Sequence, residues 1–365
     1  MADPVNTPND AFQHKRQQQD TKKPAQQKTE RFNIEALKAS LPNFDCQQGD
    51  LLRILKVKTA NQWLIDANAK PIPKMLFDEF WFEGELCILF SDTNLGKSIL
   101  AVQIADSISK GAPILGLAMD AQAQQVLVFD FELSEKQFED RYSRDYQNHY
   151  PFNDRLLRVE IDPDSEIPDG ASEEELMNKA IENAIIQTQT KVLIVDNITY
   201  LRTETEKAKD ALPLMKYLKK FRIRYGLSIL ALAHTPKRDH FKPITNNDLQ
   251  GSKMLINFCD SAFAIGQSHI EDGLRYLKQI KVRAKQFKYP SDNICVCEIK
   301  KPENMVQFEF KGFGYEKEHL KQRSEKELAE RKRQAQEMRA NGMSNVQIAL
   351  KFGVTEGAVR KWWNT

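Results

Sequence analysis

From about Pro71 to Phe313 the chain alternates short, densely apolar runs with longer stretches of helical spacing. The runs ELCILF (85–90), QVLVFDF (125–131), KVLIVD (191–196), LSILALAH (227–234), SAFAIG (261–266), LKQIKVRAK (277–285) and ICVCEIK (294–300) predict strands. Several keep apolar residues at consecutive positions, which suits strands buried on both faces. Such strands separated by helices build a mainly parallel sheet covered on both sides, so the expected class is α/β.

The flanks read differently. Residues 1–30 carry no aliphatic periodicity and cannot offset the entropy of ordering, which predicts a disordered leader. A small segment over 31–70 follows, with NIEALKASL spaced as a short helix and no legible role. After FKGFGY (310–315) the composition turns rich in Glu, Lys and Arg, which closes the main domain (71–315) and opens an all-α module over 316–365.

Composition narrows the classes. At 365 residues and 41% hydrophobic content the chain can bury a substantial core, and 28% charged residues mark it as soluble. A formal charge of +2 excludes a polycation, so affinity for nucleic acid has to come from a local basic patch or an assembled face. Cys46, Cys87, Cys259, Cys295 and Cys297 form no C-x-x-C pair, and Cys295 and Cys297 alternate as same-face residues of a strand. Reduced structural thiols in a cytoplasmic protein are expected. The N-terminus has no apolar signal region, and no run approaches the roughly 18 apolar residues of a membrane span, so no membrane partner is expected.

The clearest chemistry lies in ILFSDTNLGKS (88–98), where an apolar strand runs into a helix, SILAVQIADSISKG, whose Ile99, Val102, Ile104 and Ala105 suit packing on a sheet. Gly-Lys-Ser in that context is a phosphate-binding loop. Backbone amides over Asp92, Thr93, Asn94, Leu95, Gly96, Lys97, Ser98 and Ile99 cradle phosphates, Lys97 neutralises outer oxygens, and the Ser98 hydroxyl coordinates Mg²⁺. Ser91 stands where the pattern has its first glycine, which is tolerable if its φ is negative. Asp92 is less comfortable, because a carboxylate beside phosphates repels them unless it turns to solvent or to a cation. KVLIVDN supplies Asp196 at a strand end, a carboxylate for the Mg²⁺ shell.

With VLVFDFELSEKQFEDRY added, the chain resembles the RecA-like ATPases, and among them the hexameric helicases of the DnaB type and the plasmid RepA-type helicases. In those families a strand of the form VLxFSLE places its glutamate to polarise the attacking water. Glu132 matches that position, with Asp130 as the competing carboxylate. His234, ending LSILALAH, matches the polar residue that senses the γ-phosphate, and TNNDLQGSKMLINFCDSAFAIG resembles the loop and following strand that face the central channel or report its occupancy. IKVRAKQFKYP resembles K-Q-R-N-G-P, whose lysine and arginine reach a neighbouring subunit's γ-phosphate. Lys285 matches the lysine, but Phe287 takes the arginine's place, which leaves Lys288 or Arg283 as the finger, or none. The resemblance implies a RecA-like αβα core, a homo-oligomeric ring, typically a hexamer, ATP with Mg²⁺ between subunits, and DNA as partner.

The last residues, AQEMRANGMSNVQIALKFGVTEGAVRKWW, have helix-turn-helix spacing: helices over 331–340, 344–352 and 355–363, with Asn341-Gly342 and Gly353 at the turns. Ile348, Val359 and Trp362 suit a shared core, and Ala349 and Val354 the positions at the turn. The pattern resembles the helix-turn-helix of resolvases and small regulators, which implies that Thr355 opens a recognition helix and that Arg360 and Lys361 meet DNA. The expected function is an ATP-hydrolysing motor of the RepA/DnaB helicase type acting on DNA in plasmid or mobile-element replication or transfer. The alternative is an ATP-switched DNA-binding regulator that does not unwind.

Overall fold

Alternate side chains of the buried strands feed two different cores, and this is what layers the protein. Leu86, Ile88 and Phe90 join one cluster together with Leu127, Phe129, Leu193, Val195, Ile229 and Ala231. Their neighbours Cys87, Leu89, Val126, Val128, Val192, Ile194, Leu230 and Leu232 join the other. A sheet apolar on both faces needs a cover on each side. The computed structural model describes residues 55–162, 164, 173–198, 211–236, 238–249, 252–283, 285–322 and 325–363. The expected leader and the NIEALKASL helix lie outside these residues.

The chain divides into two units between Ile72 and Pro73. The described part of the first holds helix α1 (Ala60–Asn68), capped by Thr59, whose side chain accepts from the Gln62 amide. The second unit opens with a short ribbon, β1 (Met75–Phe77) and β2 (Trp81–Phe82). Its main sheet has nine strands: β3 (Leu86–Ser91), β4 (Val126–Asp130), β7 (Leu156–Val159), β8 (Val192–Asp196), β9 (Ser228–His234), β10 (Ser261–Gln267), β11 (Leu274–Val282), β12 (Ile294–Lys300) and β13 (Gln307–Gly314). A second ribbon, β5 (Ser143–Arg144) and β6 (Asn148–His149), lies between β4 and β7 in the chain. The spatial order is β13-β12-β11-β10-β3-β9-β8-β4-β7. Strands β10 through β7 are parallel, and β11 to β13 continue the sheet antiparallel.

Helix α2 (Lys97–Lys110) covers one face through Leu100, Ala101, Ile104, Ala105 and Ile108. Helices α4 (Glu173–Thr188), α5 (Ala211–Tyr225) and α6 (Ser252–Phe258) cover the other through Ile181, Ile185, Leu214, Met215, Leu218, Phe221 and Leu255. The result is a RecA-like αβα core. Val102, expected on the sheet, instead packs under Tyr142 and Met305, close to α3 (Glu135–Arg141).

Elsewhere the ladder differs from the expected strands. β11 begins at Leu274 and leaves the sheet after Val282, rather than running over 277–285. It ends early because Gln279 Oε1 accepts from the Lys288 and Tyr289 amides, at 2.7 and 2.8 Å, and so ties the returning chain to the strand. β13 was unexpected, since the glycines of FKGFG read as a domain end. β7 was also unexpected: it is a four-residue edge strand containing Arg158.

Residues 316–363 are helical: α7 (Glu316–His319), α8 (Glu325–Ala340), α9 (Asn345–Phe352) and α10 (Glu356–Trp362). α8 starts six residues before the expected 331, in a stretch carrying Glu330–Arg333 and Arg333–Glu337 pairs at helical spacing. Ser344 and Thr355 lie just outside their helices as N-caps. Ala335, Ile348, Ala349 and Val359 form the small core, with Val354, Trp362 and Trp363 against it. Cys295 and Cys297 do face one side of β12, as free thiols 3.8 Å apart.

Candidate functional site

Strand register builds the site. Ser91 of β3 pairs with His234 of β9, and Asp196 of β8 pairs with Asp130 of β4, so four strand ends meet along one edge of the parallel sheet. β8 lies beside β9, which completes the row. Open α/β sheets bind ligands at the carboxyl ends of their strands. The loop Ser91–Gly96 leaves β3 there and enters α2.

That loop turns through two left-handed residues, Asn94 (φ 63°) and Gly96 (φ 91°). Ser91 is not one of them, so a serine fits the first position. Gly96 is required twice over. Its φ disfavours a side chain, and a Cβ there would come within 2.8 Å of Ile299 and 3.0 Å of the Phe308 ring. No side chain caps the N-terminus of α2, so its first amides are available to an anion.

Lys97 is buried and gathers the loop around its ammonium group. Nζ lies 3.2 Å from Ser91 O, 3.3 Å from Ser91 Oγ, 3.3 Å from Asp92 O and 3.2 Å from His234 Nδ1. Burial lowers its pKa, against the fields of Asp196, Glu132 and Asp92. The other edge of His234 faces Asn197 Nδ2 at 3.0 Å and Glu132 Oε1 at 3.7 Å. Asn197 also donates to Glu132. Lys97, His234, Asn197 and Glu132 thus form one connected cluster.

The three carboxylates have separate environments. Burial pushes Asp196 up to about 7; the Ser98 hydrogen bond opposes this, and the charges of Glu132 and Asp130 add to it. Glu132 is held below its ordinary value chiefly by the neighbouring His234, with burial opposing and Asn197 and Lys97 assisting. Asp130 serves the turn: Oδ1 accepts from the amides of Glu132 and Leu133 at 3.2 and 3.1 Å, and Oδ2 accepts from Arg158 Nε at 3.0 Å. Of the two carboxylates weighed for one role, Asp130 is committed to shaping the loop, while Glu132 stays about one-third exposed in the cluster.

Asp92 turns to a cation. Its carboxylate accepts from the Thr235 hydroxyl and, at 3.1 Å, from Arg238 Nε, with His240 Nε2 3.7 Å away. Arg283, Lys285 and Lys288 are not brought to this cluster. Val282 pairs with Ser261 and Ser261 with Cys87, which puts the segment after β11 at the opposite end of the sheet. Arg283 pairs there with Asp260, Lys285 with Glu79 and Lys288 with Asp78. Lys285 and Lys288 are therefore not nucleotide ligands of their own chain.

Thr355 spends its hydroxyl on the Ala358 amide at 3.3 Å. Arg360 is exposed and pairs with Glu356, and Lys361 is exposed beside it. Gln250 and Gly251 of the expected channel loop lie outside the described residues. Reasoning from the sequence missed Asn197, Arg158, Thr235 and Arg238. Asn197 was legible as the polar residue directly after Asp196, whereas Thr235 and Arg238 stand in a polar run after His234 that carries no local sign of their contact with Asp92.

Residues 51–240 match the AAA domain family, so the chain belongs to that family. With the P-loop on β3 of an αβα core, it is a RecA-like P-loop ATPase. Among solved structures, a KaiC-like protein from the hyperthermophilic archaeon Pyrococcus horikoshii OT3 is similar at 12% identity, over 63% of this chain and 91% of that one, with a TM-score of 0.42. No curated protein matches the sequence. Among the described residues no helix is long and apolar enough to cross a membrane, and no cluster of three or more His, Cys, Asp or Glu is disposed to hold a metal by itself. The donor set of Ser98 and Asp196 is nevertheless the kind that shares Mg²⁺ with phosphate oxygens, since Mg²⁺ is usually held by one or two protein ligands and the substrate.

Proposed function

We propose that the protein is an ATP-hydrolysing motor of the RepA/DnaB helicase type that acts on DNA in plasmid or mobile-element replication or transfer. The observation that carries the hydrolytic part is the convergence of Lys97, Glu132, Asp196 and His234 on adjoining strand ends. Uncapped amides at the start of α2, with Thr93 to Ile99, hold the phosphates, and Lys97 moves its charge onto their outer oxygens. Ser98 and Asp196 hold Mg²⁺, which neutralises phosphate charge when bound. Glu132, kept ionised by His234 and Asn197, accepts the proton of the attacking water. His234 links Lys97 to Glu132 and so reports phosphate contact to the base.

The DNA part rests on the C-terminal helices. Arg360 and Lys361 project on the exposed side of α10, opposite buried Val359, which suits contact with phosphates or base edges. Replacing both with alanine is expected to weaken DNA binding and flatten its salt dependence by about two phosphate contacts. An unchanged slope in a salt titration removes DNA contact from these helices.

The exposed face of α10 equally favours the second reading, an ATP-switched DNA-binding regulator. ATPase rate with no nucleic acid, single-stranded DNA and duplex DNA, measured with solution mass and strand displacement on a fork, separates the two. A ring stimulated by single strands and able to open the fork is the expected result. Binding to one defined duplex without unwinding would establish the regulator instead.

A further inference from the structure

A carboxylate beside a phosphate seat is a liability, yet Asp92 follows the first position of the loop. Its neutralisation is elaborate. The Thr235 hydroxyl and Arg238 Nε both donate to it, and His240 stands 3.7 Å away. The Arg238 side chain is only 4% exposed, so its charge has left water as well. A buried cation of this kind requires a carboxylate, and the same contact fixes where the Asp92 carboxylate points.

Arg238 is itself fixed from behind. Nη1 donates to Lys242 O at 3.3 Å. Tyr276 is fully buried and lies across Gly266 of β10, where a Cβ would come within 2.0 Å of its ring. Its hydroxyl donates to Glu316 Oε1 at 3.2 Å. Glu316, the first residue of α7 and fully buried, also accepts from the Ile244 amide at 2.7 Å and from Lys278 Nζ at 2.6 Å. Glu316 thus ties the start of the C-terminal helices to β11 and, through Ile244, to the segment that carries Arg238.

We propose that Arg238 is a positioning residue of the phosphate site: it draws the Asp92 carboxylate off the loop and neutralises it. This rests on the reading of the loop as a seat for ATP phosphates. Without Arg238, Asp92 is free to face the phosphates as a second anion. The effect grows with phosphate charge, and removing Asp92 as well relieves it. A merely structural arginine would show neither property.

The test is titration of the full chain with Mg-ADP and Mg-ATP, with thermal unfolding as the check on folding. Arg238→Met is expected to weaken ATP about tenfold and ADP less. The double variant Asp92→Asn/Arg238→Met should return to within about threefold of wild type. Asp92→Asn alone should bind ATP at least as well as wild type, and Arg238→Lys should keep most of the affinity. A double variant as weak as Arg238→Met, or equal losses for ADP and ATP, would overturn the role. If Arg238→Met does not fold, Asp92→Asn decides, because a tenfold loss there means the carboxylate itself serves the nucleotide. Wild-type protein that binds no ATP would overturn the phosphate reading and this role with it, whereas ATP binding without rescue overturns the role alone.

Discussion

The two ends of the parallel sheet handle charge in opposite ways. At the carboxyl end, Lys97, His234, Asn197 and Glu132 form one connected cluster with Asp196 beside it, and burial and neighbouring charges push Asp196 up to about 7 while Glu132 is held down. At the other end, Arg283, Lys285 and Lys288 are each paired with a different carboxylate and stay about half exposed. Groups whose pKa values are driven apart in one place are equipped for acid–base work. Charges neutralised one by one in solvent do little by themselves and gain a role only if a partner displaces their present mates.

The largest effect expected from this contrast is at Glu132. Glu132→Gln keeps the shape and the Asn197 contact and removes only the proton acceptor, so turnover should fall about 10²- to 10⁴-fold. Nucleotide affinity should stay within a few-fold, because the proposed function assigns phosphate binding to the loop and Lys97. Steady-state rates and equilibrium titration check the two separately, and full turnover in this variant would return the base role to Asp130 or to water alone.

Asp196 tests the same end through stability. Its folded pKa, about 7, lies above the ordinary carboxylate value, so the folded state binds the proton more tightly than the unfolded chain. The stabilisation is fully present below about pH 4 and is lost as pH rises through about 7. Asp196→Asn should therefore be more stable than wild type at pH 8, by on the order of 2–4 kcal/mol without Mg²⁺, and nearly equal to it at pH 4. The same variant should lose the Mg²⁺ dependence of nucleotide binding. Melting curves at the two pH values check the sign, and a variant less stable at pH 8 would mean that the carboxylate is ionised and satisfied in the fold.

The carboxyl end was legible in the sequence because each of its groups follows a run that burial on both faces makes unmistakable: ILF before the loop, VLIV before Asp196, ILALA before His234. Where pattern and role separate, legibility stops. β13 was hidden because Gly312 and Gly314 read as terminators, although Phe308 and Phe310 alternate as strand residues do. Asp92 was legible as a problem but not its solution, since Arg238 arrives from a segment about 146 positions away in the chain. Asp130 and Glu132 look alike in FDFELS, and only the return of Arg158 on an edge strand tells them apart. Contacts between distant segments leave no local period to read.

The smallest effects belong to the opposite end. Lys285 lies 3.4 Å from Glu79 and 3.7 Å from the Phe82 ring centroid, exposed enough that its loss should cost less than about 1 kcal/mol of stability. Lys285→Ala, and Lys288→Ala in the same way, should leave nucleotide affinity at the chain's own site within twofold, because that site is at the far end of the sheet. If this end reaches a neighbour's phosphates in a ring, turnover should fall in Lys285→Ala only at protein concentrations where the chain assembles. Mixing the variant with an excess of Glu132→Gln protein sharpens the test: a subunit that supplies the lysine but cannot hydrolyse should restore the turnover of a subunit that hydrolyses but lacks the lysine. Loss of turnover at all concentrations, with no rescue on mixing, would place the effect of Lys285 within its own chain and abolish the contrast between the two ends.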